Sequence, residues 1–470
     1  MSITESLDDR FNVSERGSSV RTEILAGITT FLTMSYIVIV NPSILTDQEA
    51  ISGADGIAIA GISPGEIQSM LAVVTIIAAA TATLIMAVYA NRPFAQAPGL
   101  GLNAFFAFTV VGALGVPWQT ALAAVVVEGL IFIFLTAVGA REYIINIFPR
   151  PVKFAVGTGI GLFLTIIGLE AMGIVVDDPA TLITLGSVAS DPVAIISVIG
   201  LFITLGLYAR GIPGSIIIGI GSVTGFGWAL TTFGFVSPEA GLVTGGTAVS
   251  YDITPIAGAF VSGLADIEVF SFALIVFTFF FVDFFDTAGT LVGVGQAGGF
   301  LDSDGQFPDI ERPLMADAVG TTVGGMLGTS TVTTYIESAS GVKEGGRTGL
   351  TALTVTVLFI ASLALVPLAA AVPLYASHIA LVVIGIVMLR NVVDIAWDDI
   401  TDTIPAGLTI LIMPFTYSIA YGIAAGIVSY PIVKLAAGRS DDLRAGHLAL
   451  AAAFVIYFFV RTSGVLTAEF

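Results

Sequence analysis

The chain has 470 residues, 56% hydrophobic and only 11% charged, about half the charge with which a soluble globular protein covers its surface. Its lack of Cys excludes disulfides and cysteine-ligated metals or clusters, and with only His378 and His447 no histidine metal site and no cofactor are expected. A net charge of −19, with lysine only at Lys153, Lys343 and Lys434, argues against a nucleic-acid partner; acidic loops such as "LDSDGQFPDIE" and "DIAWDDITD" suit a surface hydrated in concentrated salt, so a halophilic source is expected.

In chain order, residues 1–21 are polar, with Arg10, Arg16 and Arg21, and read as a cytoplasmic N-terminal segment without a cleavable signal. Apolar runs of bilayer-crossing character follow near 22–44, 66–90, 97–112, 117–139, 152–174, 192–209 and 213–233. A loop rich in Gly, Thr and acids occupies 234–268 and is expected to be extracellular. Further runs lie near 269–296, 312–328, 335–345, 348–371, 378–392, 403–416 and 417–436. The tail, 437–470, holds a shorter apolar stretch at 446–460 that reads as an interfacial or peripheral helix.

Basic residues orient these runs. With the N-terminus in the cytoplasm, every Lys and Arg up to Arg444 falls on one side of the membrane, while the opposite loops at 45–65, 175–191, 234–268 and 372–377 contain none. Taking 403–436 as one helix would put Lys434, Arg439 and Arg444 outside, whereas a break near Pro414–Tyr417 keeps them inside. The expected fold is therefore an all-α polytopic membrane protein of fourteen spans, arranged as a 7+7 inverted repeat over 22–233 and 269–436. The third span of each half is short and follows a stretch that reads as extended chain, "RPFAQAPGLGLNAFFAF" and "GTSTVTTYIESASGV". Interrupted segments at matching positions point to a binding site at the membrane midplane.

The eighth span, "FFFVDFFDTAGT", carries Asp283 and Asp286 on one helical face, continued by Thr287 and Thr290. Glu337 opens the half-helix of the tenth span, and Asn103 occupies the matching half-helix of the third. An ionised side chain at the bilayer centre costs about 3 kcal/mol on insertion scales, so it normally faces a cavity or a partner. No intramembrane Lys or Arg is available near the acids to neutralise them. Their simplest structural role is hydrogen-bonded glue between helices. Their functional role would be to bind a neutral ligand through its N–H donors and to take up a proton or cation with it, since burial without a counter-ion favours a protonated carboxyl group. The glycine-rich "GVGQAGG" and "APGLGLN" lack the lysine and strand–helix unit of a phosphate loop and read as small-residue packing. In "TTFLTMSYIVIVNP", Thr29, Thr30, Thr33, Tyr36 and Asn41 could line a pathway or satisfy local backbone.

Five stretches in order, "VRTEILAGITTFLTMSYIVIVNP", "APGLGLNAFFAF", "FVDFFDTAGTLVGV", "YIESASGV" and "MPFTYSIAYGIAAGIVSY", resemble the AzgA-like adenine/guanine/hypoxanthine permeases of the nucleobase–cation symporter-2 superfamily. The resemblance runs from about residue 10 to 440. It implies the uracil-permease fold, with short strands before the half-helices of spans 3 and 10, a core domain of spans 1–4 and 8–11, and a gate domain of spans 5–7 and 12–14. It implies elevator-like import of a purine nucleobase with H⁺, or with Na⁺ in its place, across the plasma membrane; dimers are usual in this superfamily. By motif, Asp283 and Glu337 would bind the base with support from Asn103; Asp286 would support the site or the proton step, with Thr287 and Ser338 beside these acids, and Phe105 could stack on the ring. Another solute on the same fold, such as xanthine, uracil or an anion, is the alternative, although an anion exchanger would want a cationic site. An intramembrane aspartyl protease needs two Asp on facing helices and a Gly-x-Gly-Asp motif; here the two share a helix and the motif is absent.

Overall fold

The computed structural model describes residues 3–46, 56–140, 148–244, 249–265, 267, 269–301 and 307–462. Arg141, residues 302–306 of the acidic "LDSDGQFPDIE" loop, parts of the loops at 45–65 and 234–268, and the chain beyond 462 lie outside the described residues.

A short helix, Ile3–Phe11, precedes α1 (Val20–Leu45), which turns at Ser35–Tyr36. Ser19 caps α1 by accepting from the Thr22 N–H at 3.2 Å. Next comes α2 (Pro64–Ala90), opened by a capping box in which the Ser63 hydroxyl takes the Glu66 N–H while the Glu66 carboxylate takes the Ser63 N–H. Strand β1 (Gln96–Pro98) leads into α3 (Leu100–Ala113), followed by α4 (Trp118–Ala137) and α5 (Arg150–Ala171). The last turn of α2 and the far part of α3 are wound as π-helix, a form frequent at functional sites. A hairpin of β2 (Val175–Asp178) and β3 (Leu182–Leu185) precedes α6 (Pro192–Ala209) and α7 (Ser215–Thr232). The second part of the chain forms α8 (Val269–Gly298), α9 (Glu311–Leu327), β4 (Val332–Thr334) and α10 (Ser338–Lys343). It continues with α11 (Gly349–Ala370), α12 (Leu374–Met388), α13 (Ile400–Phe415), α14 (Ile419–Ala436) and α15 (Ala445–Thr462).

Ten described helices (α1, α2, α4 to α8, α11, α12 and α14) are long and apolar enough to cross a membrane; α3 and α13 are shorter apolar helices. The helices gather in two sets. In one, α1 packs on α10 and α11, α2 on α9 and α11, and α4 on α8 and α9; in the other, α5 packs on α12 and α13, α6 on α7 and α12, and α13 on α14. Large apolar side chains left exposed on α6 and α7, including Phe202, Phe226 and Trp228, suit contact with lipid. The tail helix α15 packs along α14 and also reaches α8, where Phe454 meets Phe277 and Phe281 at ring separations of 5.2 and 5.4 Å.

A buried carboxylate fastens the start of the chain to the second half. Glu23, in the first turn of α1, accepts from the Arg347 N–H at 2.9 Å, the Thr348 N–H at 3.2 Å and the Thr351 hydroxyl at 2.6 Å. These groups sit at the N-terminus of α11, where backbone donors lack helical partners and a negative charge is favoured. Asn91, which ends α2 in the left-handed conformation, adds an acceptor for the Gly349 N–H at 2.7 Å. Replacing Glu23→Ala is expected to destabilise the fold by about 2–3 kcal/mol, because buried donors lose a charged acceptor. Thermal unfolding in detergent measures it, and an unchanged midpoint would show that the clamp contributes nothing.

Candidate functional site

Strands β1 and β4, one from each half of the chain, pair antiparallel with Gln96 opposite Thr334, Ala97 opposite Thr333 and Pro98 opposite Val332. The ladder extends at both ends, through Gly99 N–H to Thr331 O and Tyr335 N–H to Ala95 O, each at 3.0 Å. Side chains satisfy the outer edges. Thr83 takes the Gln96 N–H at 2.9 Å and donates to its carbonyl at 3.0 Å, while the Ser338 hydroxyl accepts from the Ala95 N–H at 3.0 Å. The Tyr335 hydroxyl donates to Pro98 O at 2.5 Å. Both strands are fully buried, and each points into a half-helix, α3 after Gly99 and α10 after Glu337.

Helix α8 runs past this ribbon. A Cβ placed at Gly99 would stand 2.8 Å from Thr333 Cγ2, so the missing side chain lets the two strands close up, and 3.5 Å from Asp286 Oδ2, which places Asp286 beside the start of α3. Asp286 is half-buried, and the face it begins continues through exposed Gly289, Gly293 and Gln296. No atom would lie within 4 Å of a Cβ at Gly289 or Gly293, so this face borders open space. Glu337, also half-buried, accepts from the Tyr36 hydroxyl at 2.5 Å, which joins α1 to the site. Asp286 and Glu337 lie close enough to interact electrostatically.

The resemblance assigns ligand contact to Asp283 and a supporting part to Asp286; their exposures in the structure are the reverse. Asp283 is fully buried behind the ribbon and accepts from the Thr287 hydroxyl at 2.9 Å. That hydroxyl also stands 3.2 Å from Asp317 Oδ2 and 2.8 Å from the Thr333 hydroxyl, yet it has one hydrogen to give. Asp317, buried on α9, accepts from the Thr334 N–H at 3.1 Å. Asn103 is buried on α3, where its side-chain oxygen accepts from Ser330 and its Nδ2 has no partner. Phe105 is buried on α3. It packs edge-to-face on Phe279 at 4.9 Å and lines a small cavity with Thr109, Thr278, Ser418 and Tyr421.

Beside that cavity Thr109 on α3 donates to the Tyr417 carbonyl at 2.8 Å, in the turn between α13 and α14. Tyr417 is held in the left-handed conformation (φ 49°), and its hydroxyl donates to Glu170 on α5. In α1, Tyr36 and Asn41 make long-range contacts, Asn41 donating to Thr75 at 2.7 Å and Thr329 at 2.9 Å, whereas Thr33 bonds only to its own helix. Sequence reading missed Glu128 and Asp317. The signal that singles out Asp283, a carboxylate inside an apolar run, is equally present in "VVVEGLIF" and "LMADAVG".

A family model described as "Permease family" matches residues 21–425. The chain belongs to this family. With its ten apolar helices, that makes it a multi-pass membrane protein. Among relatives in the family, a protein of Methanocaldococcus jannaschii, whose name goes no further than permease, is 42% identical over 97% of this chain and 99% of its own. The adenine permease AdeP of Escherichia coli is 38% identical, covering 96% of this chain and 95% of AdeP. The guanine/hypoxanthine permease PbuO of Bacillus subtilis is also 38% identical, covering 96% of this chain and 99% of PbuO. The transmembrane domain of BicA, a cyanobacterial bicarbonate transporter, shares the fold at a TM-score of 0.59 and 15% identity, over 86% of this chain and 97% of that one.

In this permease, Thr287→Val keeps the side-chain shape and removes the hydroxyl that serves Asp283, Asp317 and Thr333. It is expected to destabilise by about 1–3 kcal/mol, since buried acceptors are left short of a donor. A melting midpoint equal to that of the unsubstituted protein would show the hydroxyl to be dispensable.

Proposed function

We propose that this permease imports purine nucleobases (adenine, guanine, hypoxanthine) by cation symport, with H⁺ as the coupling ion. The carrying observation is the pair of half-buried carboxylates, Asp286 and Glu337, at the starts of two half-helices beside open space. A purine edge presents ring N–H donors and ring-nitrogen or carbonyl acceptors. Carboxylates accept the former, and backbone N–H groups at the half-helix starts donate to the latter. An anion would be repelled by the same acids. The substrate names of AdeP and PbuO agree with this chemistry.

On this reading Asp286 and Glu337 contact the base. Asn103 and Ser338 support it through the half-helix and ribbon, Asp283 and Thr287 stand behind, and Phe105 forms part of the apolar wall. The pairing of β1 with β4 across the two halves supports an inverted repeat of fourteen spans. The two packing sets support a core (α1 to α4 and α8 to α11) that slides as an elevator against a gate (α5 to α7 and α12 to α14). The open face runs from Asp286 toward the end of α8, which is the cytoplasmic end if the N-terminus lies inside the plasma membrane; the conformation is then inward-open.

Two measurements test this. Cells lacking purine transport and expressing the chain are expected to show saturable hypoxanthine uptake, competed by adenine and guanine but not uracil, and collapsed by a protonophore. Asp286→Asn and Glu337→Gln should each weaken binding by about tenfold or more. Uptake that survives the protonophore but needs Na⁺ would replace the coupling ion; absence of purine uptake from well-inserted protein would sink the substrate. Because the chain has no Cys, Gly293→Cys gives a single-thiol protein. It should react with a membrane-impermeant maleimide only from the cytoplasmic side, and labelling from outside would refute the inward-open reading.

A further inference from the structure

A second group of acids lies deeper than the substrate-facing pair. Glu128 on α4 and Asp283 on α8 are both fully buried and lie close enough to interact electrostatically; both reach the same ribbon, Glu128 through Thr331 and Asp283 through Thr287 and Thr333. Beside Glu128, α4 is close-packed on α9: a Cβ at Gly129 would stand 2.4 Å from Thr322 Oγ1 and 2.7 Å from the Thr322 backbone nitrogen. Glu128 Oε2 takes the Thr331 hydroxyl at 3.1 Å, while Oε1 has no N–H or protein hydroxyl in reach. Two buried like charges so placed are strongly disfavoured from both staying ionised.

The titratable groups nearest the pair are all acidic. Asp317 faces it from α9, Gln96 and Thr331 to Thr334 come from the ribbon and its approach, and Asp286 and Glu337 stand beyond. From residue 93 to 137, through α8, and from 313 to 342, the sequence has no Lys, Arg or His. Among the described residues no group of three or more acid, cysteine or histidine side chains could hold a metal ion.

We propose that Glu128 and Asp283 form a proton-sharing dyad that is the coupling-ion site, separate from the Asp286–Glu337 pair that contacts the base. The inference rests on the symport reading above. The dyad holds one proton as a hydrogen bond, and a second neutralises it. Asp317, within electrostatic reach of both Glu128 and Asp286, carries the change in charge to the substrate acids. Loading a proton on the dyad therefore favours Asp286 as an ionised acceptor for purine N–H groups, and by reciprocity purine binding favours the loaded dyad. The proton enters from the outer solution and leaves to the cytoplasm with the base, so each cycle moves one proton per purine.

The test uses full-length protein in proteoliposomes, with Glu128→Gln, Asp283→Asn and Glu128→Asp, and reads radiolabelled hypoxanthine in two modes. A pH gradient of one unit can hold about a tenfold gradient of a base carried with one proton. Glu128→Gln and Asp283→Asn are expected to lose this accumulation while hypoxanthine exchange at equal pH falls by less than about threefold. Glu128→Asp, which keeps a carboxyl group, should recover part of it. Accumulation unchanged in Glu128→Gln, or exchange lost in step with it, overturns the dyad as coupling site. Infrared spectroscopy of the purified protein at neutral pH, without purine, adds a readout independent of transport and of variants that fold poorly. A protonated carboxylic C=O band, shifted by deuteration and absent in Glu128→Gln, is expected, and its absence from the unsubstituted protein overturns the shared proton. If the unsubstituted protein moves no purine, the symport reading fails and the infrared band alone decides whether the dyad exists.

Discussion

The site depends on the requirement that backbone polar groups find partners where no water is available to supply them. Two half-helices can start in the middle of a membrane protein only if the chain leading to each is satisfied. Here each strand satisfies the other, and hydroxyls from Thr83 and Ser338 close the edges. Neither β1 nor β4 has a second strand beside it. The ribbon in turn presents two helix starts and leaves Asp286 and Glu337 beside them. Loss of the pairing would cost the binding geometry along with the fold.

Much of the architecture was legible from elementary signals. Apolar runs located the helices, and the break near Pro414–Tyr417, inferred from the side on which Lys434, Arg439 and Arg444 should fall, matches the gap between α13 and α14. The motif around "YIESASGV" put Glu337 at the head of a half-helix, where it stands. Which of two aspartates faces open space was not legible. Asp283 and Asp286 are three residues apart, and a helical face is too broad to separate them. Their difference appears only in the folded chain, where Asp283 is buried with Thr287 against Thr333 of the ribbon and Asp286 is half-buried. The surroundings of Phe105 were not legible for a similar reason: an aromatic near a site in sequence has no fixed direction, and in the structure it packs on Phe279.

The likeness to the bicarbonate transporter BicA separates fold from chemistry. At 15% identity the scaffold is kept while the site is free to change. Half-helix starts carry positive partial charge and would suit an anion when left bare. In this permease carboxylates stand beside the same starts and offset that positive partial charge. The scaffold provides the opening between helices, and a few side chains decide the sign of what enters.

The contact between Thr109 and the Tyr417 carbonyl has a kinetic meaning. It joins a helix of the proposed core to a turn of the proposed gate by one neutral hydrogen bond. Such a bond contributes about 1 kcal/mol net, which biases an equilibrium by less than about tenfold. A latch of that strength holds the two bodies in register without trapping them, so thermal motion can release it many times faster than a buried ion pair would allow. The cycle time of such a carrier would then be set by how far the bodies slide and by what they carry, with little delay at the catch.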